Sequence, residues 1–317
     1  MATQVLGMVS TDSLPRNNRR TWGESLFRSA CFSAATFLLV ILGGILLALL
    51  IGGWPAFQKF GIGFFFSTSW DVTNDVYGAA IPIFGTVASA SLALVVALPL
   101  AIGVAVFLTE FCPRALAQPI STMIDLLAGI PSIVYGLWGF FVLAPLIATY
   151  IQSPLAANPD SFLGRVFAGV PNGNLFIASV VLAIMILPYM TSVFRELMLS
   201  VPSPVREAAY GLGCTPFEVI RSVTIPYVRR GMVGGMMLGL GRALGETMAV
   251  TFVIGNAHNF PKTLFDATST IASTIANEFA EATGIRAASL IAMGLILFLI
   301  TFVVLAIARL LLRSPKI

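Results

Sequence analysis

Six stretches of this chain, near residues 31–53, 83–109, 126–150, 175–194, 231–255 and 287–308, are apolar over at least the roughly 20 residues that a helix needs to cross a bilayer. No other feature narrows the fold as much. A soluble core of 317 residues cannot hide so much apolar surface: 57% of the residues are hydrophobic and 10% charged, against about 25% charged in an ordinary soluble domain. The expected fold is an all-α polytopic membrane protein with six transmembrane helices.

Orientation follows from the arginines and lysines. With the N-terminus inside, Lys59, Arg165, Lys262 and Arg286 of the eighteen fall outside, Arg242 falls within a span, and the other thirteen fall inside. Both termini are therefore expected in the cytoplasm, together with a polar segment at 203–230. This bias accounts for the net charge of +4, which calls for no nucleic-acid partner. Lipid is the expected surrounding.

The chain divides into a polar cytoplasmic tail (1–30), loosely ordered over 1–25, a first span (31–53), an external loop (54–81) and a larger membrane body (82–312) that carries a cytoplasmic segment at 196–230. The first apolar run has 23 residues, longer than the 7–15 of a cleaved signal peptide, so it reads as a retained signal-anchor. The external loop is rich in Trp54, Phe57, Phe60, Phe64, Phe65, Phe66 and Trp70, which suits the membrane–water interface. Pro99, Pro131, Pro145 and Pro188 fall inside spans, where they free backbone carbonyls. Thr122 with Asp125 three residues on reads as a cap for the third span. There is no tandem repeat and no low-complexity tract.

The segment at 203–230 carries clear helix punctuation. Ser203 can cap and Pro204 can take the first helical position, with Gly211 or Gly213 as the left-handed stop. Thr215, Pro216 and Glu218 then make a second start, a capping box. Two short helices joined by a glycine turn and held out of the bilayer by charge are suited to contact with another protein.

In the fifth span Gly231, Gly235, Gly239, Arg242, Glu246 and Ala249 fall on one helical stripe. Glycines four apart allow close approach of a second helix. A charge at bilayer depth is unfavourable by about 2.5–3.5 kcal/mol even on the lenient insertion scale, so Arg242 and Glu246 need a reason. One reading is a self-neutralised pair that fixes packing. The other is a polar pathway or subunit interface formed by Arg242, Glu246, Gly235 and Gly239, in which the arginine attracts an oxyanion.

Catalytic machinery is not expected. The three lysines, Lys59, Lys262 and Lys316, lack the preceding glycine of a Walker A loop, so ATP-driven work would fall to another chain. The single histidine, His258, excludes a histidine-based metal cluster or triad and reads as a solvated loop residue. Cys31, Cys112 and Cys214 lie at or near the cytoplasmic side, where disulfides do not persist.

Glu207-Ala208-Ala209, then Gly213, Val223, Ile225 and Pro226, resembles the EAA loop of permease subunits of binding-protein-dependent ABC importers. The family pattern has Ile and Leu where Val223 and Ile225 stand. Ala128-Gly129-Ile130-Pro131-Ser132-Ile133-Val134-Tyr135-Gly136 and Leu240-Gly241-Arg242-Ala243-Leu244-Gly245-Glu246-Thr247-Met248-Ala249-Val250 resemble the phosphate-specific members, over about residues 35–312. The resemblance implies a type I importer permease fold in a bacterial cytoplasmic membrane. It implies that Glu207, Ala208, Ala209, Gly213 and Pro226 belong to coupling helices that dock on an ATPase. The implied partners are a second, PstA-like permease, two ATPase subunits holding ATP and Mg, and a periplasmic phosphate-binding protein. The chain itself would carry no cofactor and do no chemistry on phosphate. Sulfate and molybdate permeases share the Arg-Ala-Leu-Gly-Glu run, so another oxyanion is the alternative. An ion-driven carrier working alone fits less well, lacking an inverted repeat.

Overall fold

The computed structural model describes residues 19–157 and 161–312 of the chain. It is helical almost throughout. In order come α1 (Arg19–Phe60), α2 (Gly63–Phe66), the antiparallel pair β1 (Trp70–Asp71) and β2 (Val76–Tyr77), α3 (Ala80–Val106), α4 (Arg114–Ala128), α5 (Ser132–Trp138), α6 (Ala144–Ile147) and α7 (Ser153–Ala156). Then follow α8 (Phe162–Phe167), α9 (Leu175–Leu199), α10 (Ser203–Gly211), α11 (Pro216–Val219), α12 (Ile225–Leu244), α13 (Met248–Val253), α14 (Ile271–Glu278) and α15 (Gly284–Leu312).

Among the described residues five helical stretches are long and apolar enough to cross a membrane: Gly23–Phe60, Ala80–Phe111, Ser132–Ala156, Leu175–Leu199 and Gly284–Ile307. The expected fifth span, 231–255, is instead a helix, a break and a short helix. The chain forms two units, residues 1–48 and 49–317. In the first, the described part is helical from Arg19, so the expected loose tail gives way to helix there, while residues 1–18 lie outside the described residues. Its apolar side chains, Leu26, Phe32 and Phe37 among them, are exposed, as a lipid-facing helix requires.

Prolines set where the helices widen. The residue just before each of Pro113, Pro145, Pro154 and Pro226 bonds five residues back: Cys112 to Phe107, Ala144 to Gly139, Ser153 to Ala148 and Ile225 to Ile220. Proline has no N–H to give and its ring presses on the carbonyl four residues earlier, so one wider turn relieves the clash. α5, α6 and α7 thereby run on as one span although Pro145 and Pro154 lie inside it. Pro131 acts differently: it ends the connection from α4 and sits just before α5, so the third span begins at Ser132 rather than near residue 126.

The body of the second unit is organised by α3 and α9, which pack along each other more extensively than any other pair. Ala90, Ala93, Ala97, Ala101 and Ala105 recur on one face of α3 and are fully buried. That smooth face admits the bulkier Leu182, Met185, Ile186, Met190 and Phe194 of α9. α4 also packs on α9, and here the cap reading fails. Thr122 and Asp125 lie inside α4, where Thr122 Oγ1 donates to the Gln118 carbonyl at 3.1 Å and Asp125 accepts from Ser192 Oγ.

The aromatic loop turns part of its rings into the chain, while Phe66 stays exposed. α1 continues to Phe60, and Phe64 and Tyr77 are buried with Ile271 and with Ala288, Ala292, Met293 and Ile296 of α15. The hairpin turn is closed locally: Asp71 Oδ1 accepts from the Thr73 amide at 2.8 Å, and Asn74 Nδ2 donates to Asp71 Oδ2 at 2.6 Å. These hydrogen bonds, led by that of Asn74, hold the Asp71 carboxyl below its usual range.

Candidate functional site

Residues 203–219 form a helix, a tight turn and a second helix start. α10 begins at Ser203, and the residue before it, Pro202, is the cap, so Ser203 does not cap. The stop is Gly213, at φ +87°. Cys214 N–H donates to the Ala209 carbonyl at 3.2 Å and Gly213 N–H to the Tyr210 carbonyl at 2.9 Å, the paired bonds of a Schellman stop. This explains a glycine four residues after Ala209: that position must be left-handed, and only glycine adopts it without strain. Thr215 and Glu218 then form the expected reciprocal capping box. The helix it starts is not short. α11 passes through the wide turn before Pro226 into α12, so the second capped helix is the root of a long one.

Glu207, Ala208, Gly213 and Pro226 are exposed, and Ala209 is buried. Leu212, 86% exposed, and Phe217, 66% exposed, add apolar surface beside them.

The intramembrane stripe is divided by the structure. Gly231, Gly235 and Gly239 face α9: a Cβ on Gly235 would stand 2.8 Å from Val193 Cγ1, and one on Gly239 would stand 2.8 Å from Met190 Cγ. Gly235 and Gly239 therefore serve packing within the chain rather than a pathway surface. α12 ends at Leu244, and the helix breaks at Gly245. Arg242 and Glu246 form no ion pair. Glu246 Oε1 accepts from the Ala249 amide at 3.3 Å, a carboxylate at the start of α13 where the helix dipole favours it. Arg242 is exposed, with its guanidinium 6.0 Å from the Tyr189 ring centroid, a long cation–π contact.

The two stretches that resemble phosphate-specific permeases meet here. A Cβ on Gly136 of α5 would stand 2.9 Å from Ala249 Cα of α13, so these backbones touch. Tyr135, next to that glycine, lies within electrostatic reach of Arg242 and donates to the Leu127 carbonyl at 2.8 Å.

Two charged clusters were not foreseen from the sequence. Arg206 Nη1 lies 3.1 Å from Glu110 Oε1, and the same guanidinium donates through Nη2 to the Met198 carbonyl. At the hairpin end Glu278 accepts from Trp70 Nε1 at 3.1 Å and from Arg286 Nε and Nη2 at 3.0 and 2.8 Å, and bonds His258 Nε2 at 2.9 Å. Burial opposes charge on Glu278, but the hydrogen bonds and charges of His258 and Arg286 outweigh it and hold its carboxyl below the usual range. His258, stacked on Trp70 at 5.0 Å, is thus a fixed structural group rather than a solvated one. Glu278 lies 208 positions from Trp70, 20 from His258 and 8 from Arg286, spacings that carry no local signal.

Residues 97–316 match the family described as binding-protein-dependent transport system inner membrane component. The phosphate transport system permease protein PstC of Mesorhizobium japonicum is 51% identical over 290 residues, covering 90% of this chain and 89% of that protein. PstC of Haemophilus influenzae is 48% identical over 94% of this chain and 95% of its own length. PstC 2 of Mycobacterium tuberculosis is 40% identical over 98% and 97%. A crystal structure of a bacterial ABC transporter that imports the acidic polysaccharide alginate matches with a TM-score of 0.60 at 17% identity, covering 94% of this chain and 100% of that one. The inward-facing MetNI methionine ABC transporter matches with a TM-score of 0.54 at 15% identity over 74% and 94%. These likenesses place the fold among type I ABC importer permeases. The chain belongs to the family of binding-protein-dependent transport system inner membrane components, and its relatives within that family are the PstC-type permeases.

Proposed function

We propose that this chain is a permease subunit of an ATP-driven importer that carries inorganic phosphate across the bacterial inner membrane. The observation that carries the reading is full-length likeness, 51% identity over nine-tenths of both chains, to a permease named for phosphate transport. The substrate crosses between this chain and a PstA-like second permease, delivered by a periplasmic phosphate-binding protein. Two ATPase subunits, which hold the ATP and Mg, dock in the cytoplasm on the exposed face of α10 and α11. The turn at Gly213 and the capping box at Thr215 support that role: local bonds shape the connection between the two docking helices. Within the membrane Arg242 is the anion-attracting group, exposed on the body of the chain and free of an acidic partner among the described residues. Glu246 fixes the break beside it.

The test is reconstitution of the complex in proteoliposomes with ATP inside and labelled phosphate outside. Uptake that needs the binding protein, and that excess sulfate or molybdate does not suppress, is expected. Equal competition by sulfate would replace the substrate. Arg242→Gln is expected to abolish uptake in an intact complex. Transport that merely follows the amount of protein would leave Arg242 a packing residue.

A further inference from the structure

Of the nine residues of α10, only Ala209 and Arg206 turn substantially into the protein. Ala209 offers one methyl group. Arg206, whose side chain is 19% exposed, makes the polar attachments, and they reach two different helices. Glu110, 10% exposed, sits in the wide turn Phe107–Phe111 that ends α3, and Met198 lies in the last turn of α9. A guanidinium is suited to this place, because its planar fork spans two acceptors and a cation at a helix C-terminus meets orphan carbonyls and the negative end of the dipole. Thr109, next to Glu110, also directs its hydroxyl at Met198 Sδ, 3.7 Å away. The ends of α3 and α9 therefore meet where Arg206 enters, and these two helices form the most extensive packed pair in the molecule.

The attachment is incomplete. Arg206 Nε and Glu110 Oε1 are buried without a hydrogen bond, because the pair is close enough for an ion pair but not aligned for the second bond. Because no aligned hydrogen bond joins Arg206 to Glu110, the two side chains can shift against each other without breaking one, as a moving joint requires.

We propose that Arg206 is a positioning residue of the coupling step: it pins α10 to the joined ends of α3 and α9, so that displacement of the exposed face of α10 moves that helix pair as one body. The inference rests on the reading of α10 and α11 as the ATPase dock. Tension applied at Glu207 then reaches the membrane one residue away, through Arg206.

The experiment uses the complete complex in proteoliposomes and reads labelled phosphate taken up per ATP hydrolysed, with retention of the ATPase on the tagged permease as the measure of assembly. Arg206→Ala is expected to keep assembly and unstimulated hydrolysis while the uptake ratio and the stimulation by loaded binding protein fall at least tenfold. Arg206→Lys, which reaches one acceptor at a time, is expected to recover part of the ratio. A wild-type ratio in Arg206→Ala overturns the pin. If that variant does not accumulate, Arg206→Lys and Glu110→Gln are read the same way, and wild-type ratios in both overturn it. Glu207→Lys separates this from the parent reading. If it disrupts ATPase retention while Arg206→Ala leaves the ratio unchanged, only the pin fails. If Glu207→Lys leaves both retention and ratio unchanged, the docking reading fails as well.

Discussion

Two acidic side chains of nearly equal burial, Glu278 at the end of α14 and Glu110 in the wide turn after α3, are treated very differently. Glu278, 13% exposed, takes three hydrogen bonds from Trp70 and Arg286 and a fourth contact from His258. Glu110, 10% exposed, has one charged partner among the described residues and no aligned hydrogen bond at Oε1. A carboxylate saturated with donors fixes the geometry of everything that donates to it, whereas one held by charge alone tolerates sliding. The hairpin end is locked, joining β1, the 256–270 loop, α14 and α15. The α10 end is jointed. Burial by itself does not distinguish them; saturation does.

The largest effect is expected at Glu278. Glu278→Ala leaves the Arg286 guanidinium and the Trp70 N–H half-buried without their acceptor, and a loss of about 3–5 kcal/mol in stability is expected. Thermal unfolding of the detergent-solubilised protein would show it, and a shift within error would mean that the corner is not locked. Arg206→Ala removes a half-satisfied partner. Its expected stability loss is smaller, about 1–3 kcal/mol, in the same assay, and a loss as large as that of Glu278→Ala would make the two ends alike. At Gly213, where φ is +87° and a Cβ would meet nothing within 4 Å, alanine is opposed by backbone strain alone. Gly213→Ala should lose about 1–2 kcal/mol, seen as faster hydrogen exchange confined to residues 203–219.

Acid gives the mildest perturbation. The Glu278 carboxyl is held below its ordinary value in the folded chain, so the stability it adds is fully present above the unfolded glutamate pKa and is lost as pH falls through the lower folded value. Hydrogen exchange of residues 70–77 is expected to rise in that acid window, with Trp70 released from Glu278. Unchanged exchange there would show that the hydrogen bonds outlast the charge.

Much of the α10 region was legible in the sequence because its structure is local. The Schellman stop and the capping box use atoms within five residues of each other, and Gly213, Thr215, Pro216 and Glu218 declare them. Two details differ from the local reading: Pro202 rather than Ser203 stands at the cap, and the second helix runs on into α12. The fifth span was legible in composition but not in geometry. A uniform helix would align Arg242 with Glu246, yet glycine has no side chain to hold the helix through Gly245, and Glu246 finds the α13 amide instead. The glycine stripe spoke truly of close approach but not of which helix approaches.

Hydropathy and charge bias by themselves determined that this chain is a bundle of apolar helices in a membrane, since every backbone polar group in lipid must be bonded within its own segment. Local punctuation marked the Gly213 stop and the Thr215–Glu218 start. Tertiary structure alone decided which face of α12 meets α9, that Arg242 stands apart from Glu246, and that Arg206 and Glu278 find partners in distant segments. Hydrogen bonds within a turn are encoded by spacing along the chain. Contacts between helices depend on how whole faces pack, and no single spacing records that.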